Sequence, residues 1–150
     1  MPRESYEIGK RGETQTWDLL KKQGYIRPTK DQRTEIYEYY KKKFIEIDKR
    51  GFDVILEQEI DYIGKKDISL FEVKTTGKKR GEKIESDFIG LGFTLTEKEY
   101  SNAISLKKRF KFIFVNLALN SYKIFDLDDF FNDKKARIYK TWSVFIKNSI

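Results

Sequence analysis

Residues 68–76 read Ile68-Ser69-Leu70-Phe71-Glu72-Val73-Lys74-Thr75-Thr76, and the alternation within this stretch decides the fold. Side chains alternate along a strand. One face therefore carries Ile68, Leu70, Glu72, Lys74 and Thr76, and the other Ser69, Phe71, Val73 and Thr75. Both faces begin apolar, as in an interior strand, yet Glu72 and Lys74 share a side. A desolvated charge is costly unless it is paired or binds a metal. The pair is thus either a structural Glu–Lys contact near a strand end or part of a site.

The preceding residues bear on that choice. Phe52–Ile63 and Asp67–Thr76 are rich in Val, Ile, Phe and Tyr, which predicts two strands joined by a turn at Gly64-Lys65-Lys66-Asp67. With Lys65 and Lys66 at the centre of the turn, Asp61 lies across from Leu70 and Glu59 across from Glu72. Asp61 is then a diagonal neighbour of Glu72, at ~7–8 Å backbone spacing. Three carboxylates on one face repel unless a divalent cation neutralises them. Asp53, in Gly51-Phe52-Asp53-Val54, is a second candidate aspartate, but this register places it beyond the strand end. Asp61 is preferred, with Asp53 and Glu59 left open.

A helix is predicted over about Glu7–Gln23, with Gly24 as its stop. Glu13, Trp17, Leu20 and Gly24 share one face, which turns Glu13 toward the sheet. A second helix is predicted over 31–49, with Ile36, Tyr40, Phe44 and Ile47 on one side. The four glycines between 77 and 92 mark a loop. Thr96 and Glu99 form a capping-box pair opening a helix that ends near Arg109. Strands follow at Lys111–Ala118 and Tyr122–Asp126, with a turn at Asn120-Ser121. A short helix around Asp129–Ala136 and an apolar stretch, Tyr139–Ile146, close the chain. The order is α, α, β, β, β, α, β, β in a single domain, 1–150, with a central sheet and helices packed against it.

Composition narrows the chemistry. The chain of 150 residues has no cysteine and no histidine, so disulfide frameworks, thiolate sites, His-based triads and His-ligated zinc are excluded. Any metal must sit on carboxylates, carbonyls and water, which favours Mg²⁺ or Mn²⁺. The net charge of +7 suits a polyanionic partner, although lysine and glutamate also serve solubility. Hydrophobic runs are strand-sized and the N-terminus lacks a signal-like apolar region, so an intracellular protein without a membrane span is expected.

Glu13 in a first helix, Asp61 in a strand and Glu72-Val73-Lys74 in the next resemble the PD-(D/E)xK nuclease superfamily. The run Glu72-Val73-Lys74-Thr75-Thr76, followed by Phe93-Thr94-Leu95-Thr96-Glu97 and a helix with Ala103, is most similar to Mrr-type restriction nucleases and the NO VEIN C-terminal domain family. Gly12-Glu13 with Leu20 and Gly24 also resembles archaeal Holliday-junction resolvases. The likeness covers roughly residues 8–118, and no proline precedes Asp61. It implies an α/β fold with a restriction endonuclease-like core, a central mixed β-sheet flanked by helices. It further implies a Mg²⁺-dependent DNA endonuclease of restriction, repair or mobile-element type, or a Holliday-junction resolvase. Asp61, Glu72 and the Val73 carbonyl would hold the metal, supported by Glu13, and Lys74 would serve the attacking water. Lys78, Lys79, Arg80 and Lys83 follow the strand directly and would contact phosphates. A second copy of the chain would allow both strands to be cut. A nuclease-fold module that binds nucleic acid without cutting is the alternative from a different class.

Overall fold

The structure, a computed structural model, describes residues 3–76, 95–126 and 128. Helix α1 (Arg3–Lys22) ends where Gly24 takes φ +89°, a conformation in which a side chain would be strained. Strand β1 (Tyr25–Ile26) is short and leads through Pro28 to Thr29. Thr29 caps α2 (Lys30–Lys42) in a reciprocal capping box with Gln32.

The second helix stops earlier than its apolar spacing predicts. Phe44 adopts φ +63°, the Phe44 amide donates to the Lys41 carbonyl, and the Ile45 amide donates to the Tyr40 carbonyl. This is a Schellman ending with phenylalanine where glycine is usual. Ile36 and Tyr40 are buried as expected, whereas Phe44 is 98% exposed and Ile47 reaches the core from outside the helix.

Strand β2 spans only Val54–Leu56, and residues Glu57–Tyr62 form a 3₁₀ helix instead of continuing the strand. Partly buried Ile60 and buried Ile63 lie three residues apart, which suits the three-residue turn of a 3₁₀ helix. The Glu57 amide donates to the Gly24 carbonyl at 2.8 Å as the chain leaves the sheet. The predicted long strand 52–63 and its hairpin register are therefore wrong. Gly64, at φ +80°, does lie in a turn, but that turn closes the 3₁₀ helix.

Strand β3 (Leu70–Thr76) pairs antiparallel with β2 and parallel with β4 (Phe110–Asn116). Between β3 and β4 lies α3 (Glu97–Leu106), capped by Thr96 and Glu99 as its sequence predicts. Strand β5 (Ser121–Asp126) returns antiparallel to β4. The result is a mixed five-stranded sheet in the order β1-β2-β3-β4-β5, with helices on both faces. The predicted segments 77–92, 129–136 and 139–146 lie outside the described residues.

The alternation in β3 separates two cores. Phe71, Val73, Ile113 and Val115 pack with Trp17 and Leu20 of α1. Leu70, Phe112 and Phe114 pack with Ile36 and Tyr40 of α2 and with Ala103 and Leu106 of α3. Glu72 and Lys74 belong to this second face. No helix among the described residues is long and apolar enough to cross a membrane.

Candidate active site

The register Val54↔Phe71 and Ile55↔Leu70 puts Asp53 beside Glu72, one step past the last paired residue of β2. The Asp53 amide donates to the Phe71 carbonyl at 2.8 Å, and the Val73 amide donates to Asp53 Oδ2 at 2.8 Å. A carboxylate thus takes the place of a backbone acceptor where the two strands part.

The loop that delivers Asp53 is held from two sides. Arg33 Nη1 of α2 donates to the Lys49 carbonyl at 2.8 Å and the Phe52 carbonyl at 2.7 Å, and its guanidinium lies over the Phe52 ring. Asn102 of α3, fully buried, accepts from the Asp48 amide at 2.7 Å and donates to the Asp48 carbonyl at 2.9 Å. Gly51 packs so closely on this amide that a Cβ there would lie 2.4 Å from Asn102 Nδ2.

Glu72 is buried at 8% exposure and faces Asp53 across the β2–β3 register. Burial, first of all, pushes its carboxyl up to about 9; the neighbouring Asp53 carboxyl and the charge of Glu99 add to this, and Lys74 opposes it. Burial therefore favours the neutral form of the Glu72 carboxyl. Lys74 Nζ lies 4.0 Å from Glu72 Oε1 and donates to Glu99 Oε2 at 2.9 Å. Arg33 adds a second positive charge felt by both Asp53 and Glu72.

The structure brings Glu72 and Lys74 together, and it brings Asp53 rather than Asp61 to them. Asp61 is exposed in the 3₁₀ helix, off the sheet. Glu59 does not face Glu72 either; its Oε1 accepts the Ser69 amide at 3.1 Å. Glu13 is exposed on the helix covering the opposite face, where its Oε1 accepts from Trp17 Nε1 at 3.4 Å. The buried line of α1 runs through Thr16 and Leu20, with Trp17 half-buried on its shoulder, so the Glu13 side chain points outward instead of toward the sheet. Lys78, Lys79, Arg80 and Lys83 lie outside the described residues.

Glu99 is the site residue that the sequence reading placed only as a helix cap. Its signal was present: Glu99, Asn102, Ala103 and Leu106 occupy the buried stripe of α3, and a carboxylate on that stripe needs a partner.

Among the described residues no group of three or more acidic, histidine or cysteine side chains is gathered to hold a metal. The donor set is a pair, Asp53 and Glu72. Mg²⁺ commonly takes one or two carboxylates and completes its shell with water and phosphate oxygens, so this pair fits it. A buried carboxyl whose charge is costly is also chemically suited to exchange a proton for a cation. Comparison of the chain with protein-family models, curated proteins and solved structures finds no match.

Proposed function

We propose that this chain is a Mg²⁺-dependent DNA endonuclease built on a restriction endonuclease-like core, with Asp53, Glu72 and Lys74 as its working residues. The observation that carries the reading is the β2–β3 register, which sets Asp53 opposite Glu72, with the Lys74 ammonium 4.0 Å from Glu72 on the same sheet face. Asp53 fills the role that the hairpin register assigned to Asp61. The net charge of +7 suits a phosphate backbone.

Asp53 and Glu72, with the Val73 carbonyl, would hold the cation. When bound, Mg²⁺ or Mn²⁺ polarises a phosphodiester and makes water more acidic. Lys74 supplies a fixed positive charge beside the carboxyl pair, able to orient the attacking water and to offset charge developing on phosphate oxygens. Products would carry 5′-phosphate and 3′-hydroxyl ends.

A second reading, a domain of the same fold that binds nucleic acid without cutting it, draws on a specific observation. Lys74 lies nearer Glu99 than Glu72, at 2.9 Å against 4.0 Å, as a purely structural ion pair would. Cleavage of linear duplex and four-way junction DNA with Mg²⁺ or with chelator separates the readings, with a gel-shift assay in parallel. The endonuclease reading expects Mg²⁺-dependent cutting that Lys74→Ala abolishes while binding persists. Faster cutting of the junction would assign it as a resolvase. Binding without cutting in the unsubstituted protein would overturn the endonuclease reading.

A further inference from the structure

A buried glutamate that caps a helix needs no lysine, yet Glu99 has one. Its Oε2 accepts both the Thr96 amide at 3.2 Å and Lys74 Nζ at 2.9 Å. The capping box is complete without Lys74, because the Thr96 hydroxyl accepts the Glu99 amide in return. Glu99 is 6% exposed, and the Lys74 side chain is only 18% exposed. Their contact therefore forms where solvent screens it poorly.

Resting on the reading above, we infer that Glu99 is a positioning residue whose carboxylate fixes the Lys74 ammonium beside the Asp53–Glu72 pair. The helix cap makes this aim rigid. The backbone amide at position 96, which an alanine there also supplies, and the first turn of α3 hold the Glu99 side chain in one place, and Glu99 in turn limits the four-carbon lysine stem to one direction. Lysine carries considerable rotamer freedom, and a charge-assisted bond to a rigid carboxylate removes much of it. Among the described residues, the Glu99 carboxylate partners the Thr96 amide and Lys74 rather than Asp53 or Glu72. It acts through Lys74.

Glu99→Gln keeps an oxygen to accept the Thr96 amide but removes the charge. Thr96→Ala removes the hydroxyl half of the cap and leaves the Glu99 carboxylate in place. The side-chain ammonium signal of Lys74 in ¹H–¹⁵N NMR, assigned by its loss in Lys74→Arg, reports how firmly the group is held. The signal is expected in the unsubstituted protein and in Thr96→Ala, and is expected to be lost through fast exchange in Glu99→Gln. In cleavage, Glu99→Gln should lower kcat roughly tenfold with KM little changed, the scale of weakening one charge-assisted bond. Thr96→Ala should cut at close to the unsubstituted rate. An unchanged Lys74 signal and rate in Glu99→Gln overturn the inference. Equal losses in both variants also overturn it, since they would mark a purely structural cap. If no protein cuts, the endonuclease reading fails by itself, and the NMR contrast alone decides whether Glu99 holds Lys74.

Discussion

Asp53 accepts the amide of Val73 at 2.8 Å, so the β2–β3 ladder ends on a carboxylate rather than on a backbone carbonyl. One residue thereby closes the strand pairing and stands beside Glu72. The E-x-K strand and the aspartate strand are antiparallel neighbours, but the aspartate sits at the entrance to its strand rather than in a hairpin close to the turn. Whatever fixes the path of residues 48–53 also fixes the site.

That path should be sensitive to Gly51 and Asn102. Gly51→Ala sets a methyl 2.4 Å from Asn102 Nδ2 and 2.9 Å from the Lys98 carbonyl oxygen, so the loop or α3 must shift. Overpacking of this kind costs ~1–3 kcal/mol. Asn102→Ala leaves the part-buried Asp48 amide without its acceptor, at roughly 1–3 kcal/mol, while the Asp48 carbonyl keeps the Gly51 amide at 3.1 Å. Both variants should lower the urea midpoint, and an unchanged midpoint would show that the loop is not clamped.

The Glu72 carboxyl imposes a pH dependence whose sign can be worked out. Its folded value, raised to about 9, lies above its ordinary 4.5. Below the ordinary value both the folded and the unfolded chain bind the proton. Between the two values the unfolded chain releases a proton that the folded chain retains, so this contribution to stability falls as pH rises and levels off above the folded value. Glu72→Gln lacks this contribution. In metal-free melts its Tm should gain on the unsubstituted protein as pH increases across that window. A constant difference between the two proteins would contradict the raised Glu72 carboxyl.

Phe44 offers a test remote from the site. It combines φ +63° with 98% exposure, and its ring secures no burial in exchange for the strained backbone. Phe44→Gly should stabilise the fold by about 1 kcal/mol, because glycine adopts this ending of α2 without a Cβ penalty. Phe44→Ala keeps the Cβ and should gain little. A lower urea midpoint for the glycine variant would show that Phe44 has a contact partner.

The elements with one dominant local signal were legible in the sequence. Alternation defined β3, the Thr96–Glu99 box opened α3, Gly24 closed α1, and Asn120 marked the β4–β5 turn, although Ser121 already pairs in β5. What misled was a segment whose composition and spacing disagree. Residues 57–63 contain strand-forming types, but Ile60 and Ile63 repeat at three, and the 3₁₀ helix follows the spacing. That error moved the aspartate from Asp53 to Asp61. Glu13 misled for another reason. Its stripe neighbours Trp17 and Leu20 do pack on the sheet, but the buried line passes through Thr16, which spacing alone did not single out. Contacts such as Lys74–Glu99 join residues far apart in the chain and depend on how α3 docks, which no local pattern encodes.

Asp53, not Asp61, stands opposite Glu72. Asp53→Asn keeps an oxygen for the Val73 amide and removes only the charge, and Asp61→Asn is its control on the exposed 3₁₀ helix. The decisive measurement is Mg²⁺-dependent cleavage of supercoiled plasmid by these two variants beside the unsubstituted protein. The account predicts that Asp53→Asn loses about 100-fold or more in rate, the scale expected for removing a metal-holding charge, while Asp61→Asn cuts normally. Normal cutting by Asp53→Asn, or loss of cutting in Asp61→Asn alone, would contradict it.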